Sequence, residues 1–249
     1  MEPLTAAILL VAGFVAGIVN ALAGGGSFIT LTALVVAGGL TVDVANGTNR
    51  VAIALQSLAT FLTFRKAGHS ELRLVARLSP ATVAGAVVGA GLSLDVPRDI
   101  FENIVGLAML GMMVLVLARP KRFLEGAARP PRLGLGPADL AFFVIGLYGG
   151  FLQAGVGIFL LFGLVGLAGR DLVAANVAKV VLALVFTVPA LVVFASQGAV
   201  DWLPGIVLAL GTAAGGVVGA KVALKGGAPA VRWVLLAVLA LSAGRFLLG

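Results

Sequence analysis

The chain has 249 residues, of which 61% are hydrophobic and only 11% charged, with a formal net charge of +7. A soluble domain has about 25% charged residues, so a mean hydropathy of +1.16 excludes an ordinary soluble enzyme, a nucleic-acid-binding module and a disordered protein. The absence of cysteine and the single histidine, His69, argue against thiolate and histidine-rich metal sites. We therefore expect an integral membrane protein with no metal, no cofactor and no nucleic-acid partner.

The apolar segments are long runs, which favours transmembrane helices over a β-barrel. They lie at about 4–23, 27–39, 44–64, 78–94, 99–118, 138–153, 156–168, 173–196, 202–220 and 229–248. Because about 20 residues cross a bilayer as a helix, eight segments are long enough and 27–39 and 156–168 are not. The sequence predicts an all-α polytopic membrane bundle of about eight full spans and two short segments. The first segment lacks a basic n-region and is predicted to be a retained span.

Basic residues indicate the orientation. If every segment reverses the chain direction, thirteen of the seventeen basic residues fall on one face: Arg65, Lys66, Arg73, Arg77, Arg119, Lys121, Arg122, Arg129, Arg132, Arg170, Lys221, Lys225 and Arg232. The opposite face receives Asp43, Asp95, Asp99, Glu102 and Asp201. The positive-inside rule places the basic face in the cytoplasm. We expect a bacterial inner-membrane protein with both termini outside the cytoplasm.

The two halves of the chain resemble each other at an offset of 130 or 131 residues. Ala23-Gly24-Gly25-Gly26 aligns with Ala154-Gly155-Val156-Gly157, and Ala45-Asn46 aligns with Ala175-Asn176. The predicted organisation is a first membrane repeat at 1–118, a cytoplasmic linker at 119–135 and a second repeat at 136–249. Five reversing segments per half would make the repeats inverted, as in many secondary transporters; the alternative is chance similarity between common residues. The pairs Gly85/Gly89 and Gly215/Gly219 are expected to mediate close helix packing.

Glycines interrupt the first apolar segment of each half. Gly24, Gly25 and Gly26 separate segment 4–23 from the short segment that follows, and Ser27 is a candidate cap for the short helix. Gly155 and Gly157 repeat the break in the second half. A helix N-terminus at membrane depth offers free N–H groups and partial positive charge to an anion. The alternative is a plain bend between packed helices.

Two cations lie inside apolar segments. Arg50 has no carboxylate within a helical turn, so it either extends to the outer surface or binds an anion with its planar fork. Lys179 either extends to the inner surface or lines a pathway.

The remaining polar residues within the segments are neutral. They bridge helices, which is the usual role of amides in lipid, or they line a polar cavity. They are Asn20, Asn46, Thr48, Asn49, Gln56, Gln153 and Asn176. With the glycines, Ser27, Arg50 and Lys179, they form the predicted substrate site.

Two motifs resemble the TauE/SafE family of sulfite and organosulfonate permeases. They are the run from Gly17 to Ser27 and the run Ala45-Asn46-Gly47-Thr48-Asn49-Arg50, with a weaker copy in the second half where Val156 interrupts the glycines. The resemblance covers essentially the whole chain. It implies a carrier for small sulfur-containing anions such as sulfite, thiosulfate or an organosulfonate.

The alternatives are a passive anion channel and a carrier of a non-sulfur carboxylate. A membrane-embedded enzyme would need paired carboxylates, a histidine base or metal ligands at membrane depth, and the sequence offers none. The expected partners are a small anionic solute and the lipid bilayer, with a homodimer possible.

Overall fold

The structure, a computed structural model, describes residues 1–97 and 136–247, together with Ile100, Asn103, Ile104 and Leu107. Beyond residue 226 it describes the backbone alone. This part of the chain forms eight helices and no strand: α1 (Pro3–Leu22), α2 (Ser27–Val36), α3 (Val42–Lys66), α4 (Leu72–Asp95), α5 (Pro137–Phe151), α6 (Val156–Gly166), α7 (Leu172–Ser196) and α8 (Trp202–Leu247). The predicted all-helical class is confirmed. Segment 99–118 and the linker 119–135 lie outside the continuous described ranges.

Four of these helices meet the length and hydropathy of a membrane span over Pro3–Leu22, Leu72–Asp95, Leu172–Ser196 and Trp202–Gly226. The protein is therefore a multi-pass helical membrane protein. Helix α3 is equally long, with 25 residues, but its interior contains polar side chains that the bundle buries. The short segments are 10 and 11 residues long in α2 and α6, so neither crosses a hydrocarbon core of about 30 Å.

The local structure of the first half recurs in the second. Helices α3 and α7 both have 25 residues and begin 130 residues apart, at Val42 and Leu172. Glycines with positive φ precede both helices, at Gly39 and Gly169, and follow both, at Gly68 and Gly198. Each short helix thus leads through one glycine turn into a long helix, which fixes where the polar residues of α3 and α7 enter the bundle.

In each half, the helix that follows the 25-residue helix packs against the other half. Helix α8 packs on α1 and α3, whereas α4 packs on α5 and α7. The predicted glycine contacts are confirmed: a Cβ on Gly89 would lie 2.9 Å from the backbone N of Phe151, and one on Gly219 would lie 2.9 Å from the carbonyl O of Ile18. Because these contacts are made by backbone atoms, the ends of α1 and α5 are held close to the partner helices.

Two predicted boundaries are wrong. Helix α4 begins at Leu72 rather than residue 78, and Pro80 lies inside it; the hydroxyl of Ser79 donates to the carbonyl of Val75 nearby at 2.7 Å. The predicted turn between 202–220 and 229–248 is absent, because α8 continues to Leu247. At 1.5 Å per residue its 46 residues measure about 69 Å, more than twice the hydrocarbon core. Residues 221–225 are mostly good helix formers, so two glycines and Pro229 do not end the helix.

Candidate functional site

The first break separates α1 from α2 at residues 23–26. Gly24 has φ +84°, a conformation that glycine adopts without the steric penalty of other residues. Gly26 is the residue before α2, and its N–H donates to Oδ1 of Asn20 at 3.2 Å. The predicted cap by Ser27 is wrong: Ser27 is the first helical residue, and its hydroxyl instead accepts from the Asn20 amide at 3.5 Å. The Asn20 side chain spans the break and ties its two sides together.

The second break separates α5 from α6 at residues 152–155. Gly155 has φ +73°, and Gln153 has φ +63°, which is uncommon for a residue with a side chain. Two contacts hold this strained backbone. The Tyr148 hydroxyl donates to the carbonyl of Ala154 at 2.7 Å, and the Gln153 amide donates to the hydroxyl of Thr187 at 2.9 Å.

The two breaks touch each other inside the bundle. A Cβ added to Gly24 would lie 2.6 Å from Cα of Gly157, and one added to Gly157 would lie 2.9 Å from the carbonyl O of Gly24. Only glycine permits this approach. The sequence motifs, 131 residues apart, therefore meet at one place.

A small cavity of about 20 Å³ lies at this meeting point. Its polar lining contains residues from both breaks and from the long helices: Asn20, Gly24, Ser27, Gln56, Ser57, Gln153, Gly157 and Lys179. Its apolar lining is Ile53, Val156, Val180 and Ala183. The volume is near that of one water molecule, so a larger occupant requires the helices to separate.

The N-termini of α2 and α6 both face this cavity, through Ser27 and Gly157. The first N–H groups of a helix have no partner within the helix. Among the described residues, the backbone N–H groups of Ser27 and Gly157 have no acceptor. Two partial positive charges with free donors therefore converge on one point.

The ammonium of Lys179 also lines the cavity, and Lys179 is only 2% exposed. Its Nζ donates to the carbonyl of Asn20 at 2.9 Å and to that of Ala21 at 3.4 Å. These carbonyls belong to the end of α1, in the other half. Asn176, one turn earlier in α7, donates to the Ala21 carbonyl at 2.9 Å. Lys179 thus does not extend to the surface.

Arg50 makes the matching contacts from the first half, one residue further along α3 than Lys179 lies along α7, but it lies outside the lining of the cavity. Its guanidinium donates to the carbonyls of Gly149 (3.1 Å) and Gly150 at the end of α5, and to Oε1 of Gln153 at 2.8 Å. The guanidinium carbon lies 4.4 Å above the ring of Phe194. Asn46, one turn earlier, donates to the Phe151 carbonyl at 2.7 Å. Arg50 is fully buried, so it does not reach the outer surface, and it is not among the residues that line the cavity.

Other predicted site residues hold the helices together. Oδ1 of Asn49 accepts from the hydroxyl of Thr30 at 2.7 Å, which joins α3 to α2. The hydroxyl of Thr48 accepts from the N–H of Asp201 at 2.9 Å, which joins α3 to the start of α8. Gly25 and Gly155 lie in the breaks without lining the cavity. The predicted cluster therefore divides into a cavity lining and a set of bridges.

Ser57 and the apolar lining residues were not predicted from the sequence. Helical spacing contained the signal, because Ile53 and Ser57 lie four residues apart on α3 beside Gln56, and Ala183 lies four residues after Lys179 on α7. Side chains that share a helix face with a predicted ligand are candidates for the same site.

A larger vestibule of about 500 Å³ opens beside the loops that precede α4 and α7. It is lined by His69, Ser70, Glu71, Asp171, Val173, Ala174, Val177, Ala223 and Leu224. Glu71 pairs with Arg170 at 3.4 Å, so the loops that contain them lie on the same face. Val177 lies one helical turn from the cavity residue Val180, which places the floor of the vestibule close to the cavity.

A family model described as "Sulfite exporter TauE/SafE" matches residues 9–246. The chain belongs to the TauE/SafE family. It is 31% identical over 233 residues to "Probable membrane transporter protein ORF9" of Sinorhizobium sp., covering 93% of this chain and 88% of the relative. It is 26% identical over 247 residues to "Probable membrane transporter protein YfcA" of Escherichia coli K12, covering 99% and 91%. A "Probable membrane transporter protein" of Haemophilus influenzae is 29% identical over 227 residues.

No solved structure matches the chain. The predicted family is confirmed, and with it a role in membrane transport. The match to TauE/SafE spans both breaks and every helix described here except the first six residues of α1 and the last residue of α8.

Proposed function

We propose that the protein is a carrier of small sulfur-containing anions, such as sulfite, thiosulfate or a short organosulfonate, which bind in the cavity between the two helix breaks. One observation supports this most strongly: two helix N-termini and the buried ammonium of Lys179 converge on a single polar cavity. The family description supports the sulfur-containing class of anion.

The charges around the cavity favour an anion. At each break one helix ends, with partial negative charge, and another begins, with partial positive charge. Arg50 and Lys179 donate to the carbonyl ends of α5 and α1, which neutralises the negative ends. The positive ends of α2 and α6 then remain to bind the solute, together with amide donors from Gln56 and Gln153.

The repeated local structure supports two inverted repeats, residues 1–118 and 136–249, joined by the linker 119–135. The matching helix lengths and the glycine turns 130 residues apart favour this organisation. Inverted repeats with broken helices are common in carriers that expose a central site to each side in turn. We place the protein in the bacterial inner membrane with the basic loops in the cytoplasm and the N-terminus outside.

The size of the cavity supports alternating access rather than an open channel. At about 20 Å³ it holds one water-sized probe, so sulfite enters only when the halves move apart. The vestibule of about 500 Å³ provides the approach from the side of Glu71 and Arg170.

Sulfite counterflow in proteoliposomes tests this function. Lys179→Gln removes the charged group from the cavity, and Lys221→Gln, on the exposed surface of α8, is the matched control for loss of a lysine. We expect saturable counterflow with the wild-type protein and with Lys221→Gln, and at least a tenfold rise in KM with Lys179→Gln.

Three results would contradict the proposal. Flux that rises linearly with sulfite concentration indicates a channel. Acetate that competes as well as methanesulfonate indicates a carboxylate carrier. Equal KM values for Lys179→Gln and Lys221→Gln place the anion elsewhere.

A further inference from the structure

Two cations make equivalent contacts across the halves, and the structure distinguishes their roles. Both extend from the 25-residue helix of one half, α3 or α7, to the carbonyl end of the helix that precedes the break in the other half. We infer that Arg50 is a positioning residue that fixes the end of α5, whereas Lys179 is an exchangeable ligand that leaves the end of α1 to bind the anion. This inference rests on the proposed function.

The contacts of Arg50 leave little freedom. The guanidinium binds three oxygen atoms, from Gly149, Gly150 and Gln153, and its face lies on the ring of Phe194. In the described part of the chain, no backbone N–H donates to the carbonyls of Gly149 and Gly150. Removing Arg50 would therefore leave two buried acceptors without donors, which is costly.

The carbonyls that bind Lys179 have other donors. The Asn20 carbonyl also accepts from the N–H of Gly24 at 3.1 Å, and the Ala21 carbonyl also accepts from Asn176 at 2.9 Å. When Lys179 leaves, both carbonyls keep one hydrogen bond. The lysine therefore has an alternative partner at low cost, whereas the arginine does not.

Only one of the two cations contacts the cavity. Lys179 lines it, whereas Arg50 does not. An ammonium is a compact charge with three rotatable donors, whereas a guanidinium binds with a fixed planar fork. Among the described residues, no carboxylate pairs with Lys179. An anion in the cavity would supply the charge that this buried ammonium lacks.

When Lys179 leaves the carbonyls at the end of α1 to bind the anion, the break after α1 is affected more than the break after α5. Asn20 contributes its carbonyl to Lys179 and its side-chain oxygen to the N–H of Gly26. Loss of the Lys179 contact therefore loosens the end of α1 beside a break made of three glycines. Arg50 keeps the end of α5 fixed. During transport the end of α1 therefore moves, whereas the end of α5 does not.

The test compares four variants in detergent and in proteoliposomes: Lys179→Gln, Arg50→Lys, Arg50→Gln and Phe194→Leu. The probes are sodium sulfite and sodium methanesulfonate, with sodium chloride at equal ionic strength as the control. The readouts are the Tm without anion, the rise in Tm with anion, and KM and maximal rate of counterflow.

We expect Lys179→Gln to keep the anion-free Tm within about 3 °C of the wild type, to lose the rise in Tm, and to raise KM at least tenfold. We expect Arg50→Lys to lower the anion-free Tm by more than about 5 °C, to reduce the maximal rate, and to leave KM within twofold. Arg50→Gln should lower Tm further than Arg50→Lys. If neither Arg50 variant folds, Phe194→Leu replaces them in the comparison. We expect it to lower the anion-free Tm by a smaller amount and to leave KM within twofold.

The reverse pattern overturns the inference: a tenfold higher KM for Arg50→Lys or Phe194→Leu at an unchanged Tm, with a normal rise in Tm for Lys179→Gln. Absence of a rise in the wild-type protein with either anion would overturn the proposed function and the ligand role of Lys179. The lower Tm of the Arg50 variants would in that case still support the positioning role.

Discussion

The break after α1 and the break after α5 meet at the cavity but are built from different residues. The first contains Gly24, Gly25 and Gly26, and its polar side chain is Asn20. The second contains Gln153 in a left-handed conformation, and Val156 follows it. Hydrogen bonds to Arg50 and Thr187 hold Gln153 in place. One side chain, Asn20, ties the glycines of the first break, whereas Arg50, Tyr148 and Thr187 all contact the second.

Both halves contribute a helix N-terminus to the cavity, but only the lysine that reaches the first break also faces the cavity. We expect the first break to move more readily than the second.

The largest effect is expected from Gly24→Ala. The new Cβ would meet the backbone of Gly157 at 2.5 Å, and alanine disfavours φ +84°. We expect a loss of about 2–5 kcal/mol in the free energy of unfolding. Gly68→Ala is the matched control, because Gly68 also has φ +84° but its Cβ would meet nothing within 4 Å; it should lose about 1–2 kcal/mol. Equal losses in denaturant titrations would show that the breaks are not in contact.

Gly89→Ala and Gly219→Ala compare how firmly the ends of α5 and α1 are held. A Cβ on Gly89 would press on the backbone of Leu147 and Phe151, and one on Gly219 would press on Ile18 and Ala21. Both should cost about 1–3 kcal/mol, with Gly89→Ala the more costly because Arg50 prevents α5 from moving. Gly91→Ala, on the open side of α4, should be neutral or stabilising in the same titration. A larger loss in the free energy of unfolding for Gly219→Ala than for Gly89→Ala would show that the end of α1 is held more firmly than the end of α5.

Val156→Ala should enlarge the cavity on the side of the second break. Val156 is 4% exposed and lines the cavity, so its truncation should cost about 1–2 kcal/mol. The added room should lower the KM of ethanesulfonate relative to that of sulfite. Val192→Ala, at a 63% exposed position on α7, is the control. An unchanged KM ratio would place Val156 outside the substrate path.

The smallest effect is expected from Glu71→Gln at the vestibule. Glu71 lines the vestibule and pairs with Arg170, and loss of its negative charge should speed the approach of an anion. We expect initial sulfite flux to rise by less than about twofold at low ionic strength, with no difference at high salt. Glu2→Gln, near the N-terminus, should not alter the flux. A lower flux for Glu71→Gln would argue against entry by this route.

Local sequence patterns predicted much of the fold. Runs of apolar residues predicted the long helices, and the glycines of both motifs predicted the two breaks, because each signal is contained within a few neighbouring residues. The boundary errors at Pro80 and in α8 arose because proline and glycine weaken a helix without always ending it.

The candidate site was harder to predict. The acceptors of Arg50 lie 99–103 residues away in the chain, and a sequence does not show which carbonyl a cation will reach. In the sequence, Arg50 and Lys179 are therefore both simply cations inside apolar segments, although their surroundings in the structure differ. The left-handed Gln153 was unpredictable for a similar reason, since the conformation depends on contacts with Arg50 and Thr187.

In the proposed carrier, an anion binds between the N-termini of α2 and α6 beside Lys179. Crystals soaked in selenite test it most directly, because selenium scatters anomalously and the chain has no cysteine for selenite to oxidise. We expect one strong anomalous peak within hydrogen-bonding distance of the Lys179 ammonium and the N–H groups of Ser27 and Gly157. A peak against the Arg50 guanidinium, with this cavity empty, would contradict it.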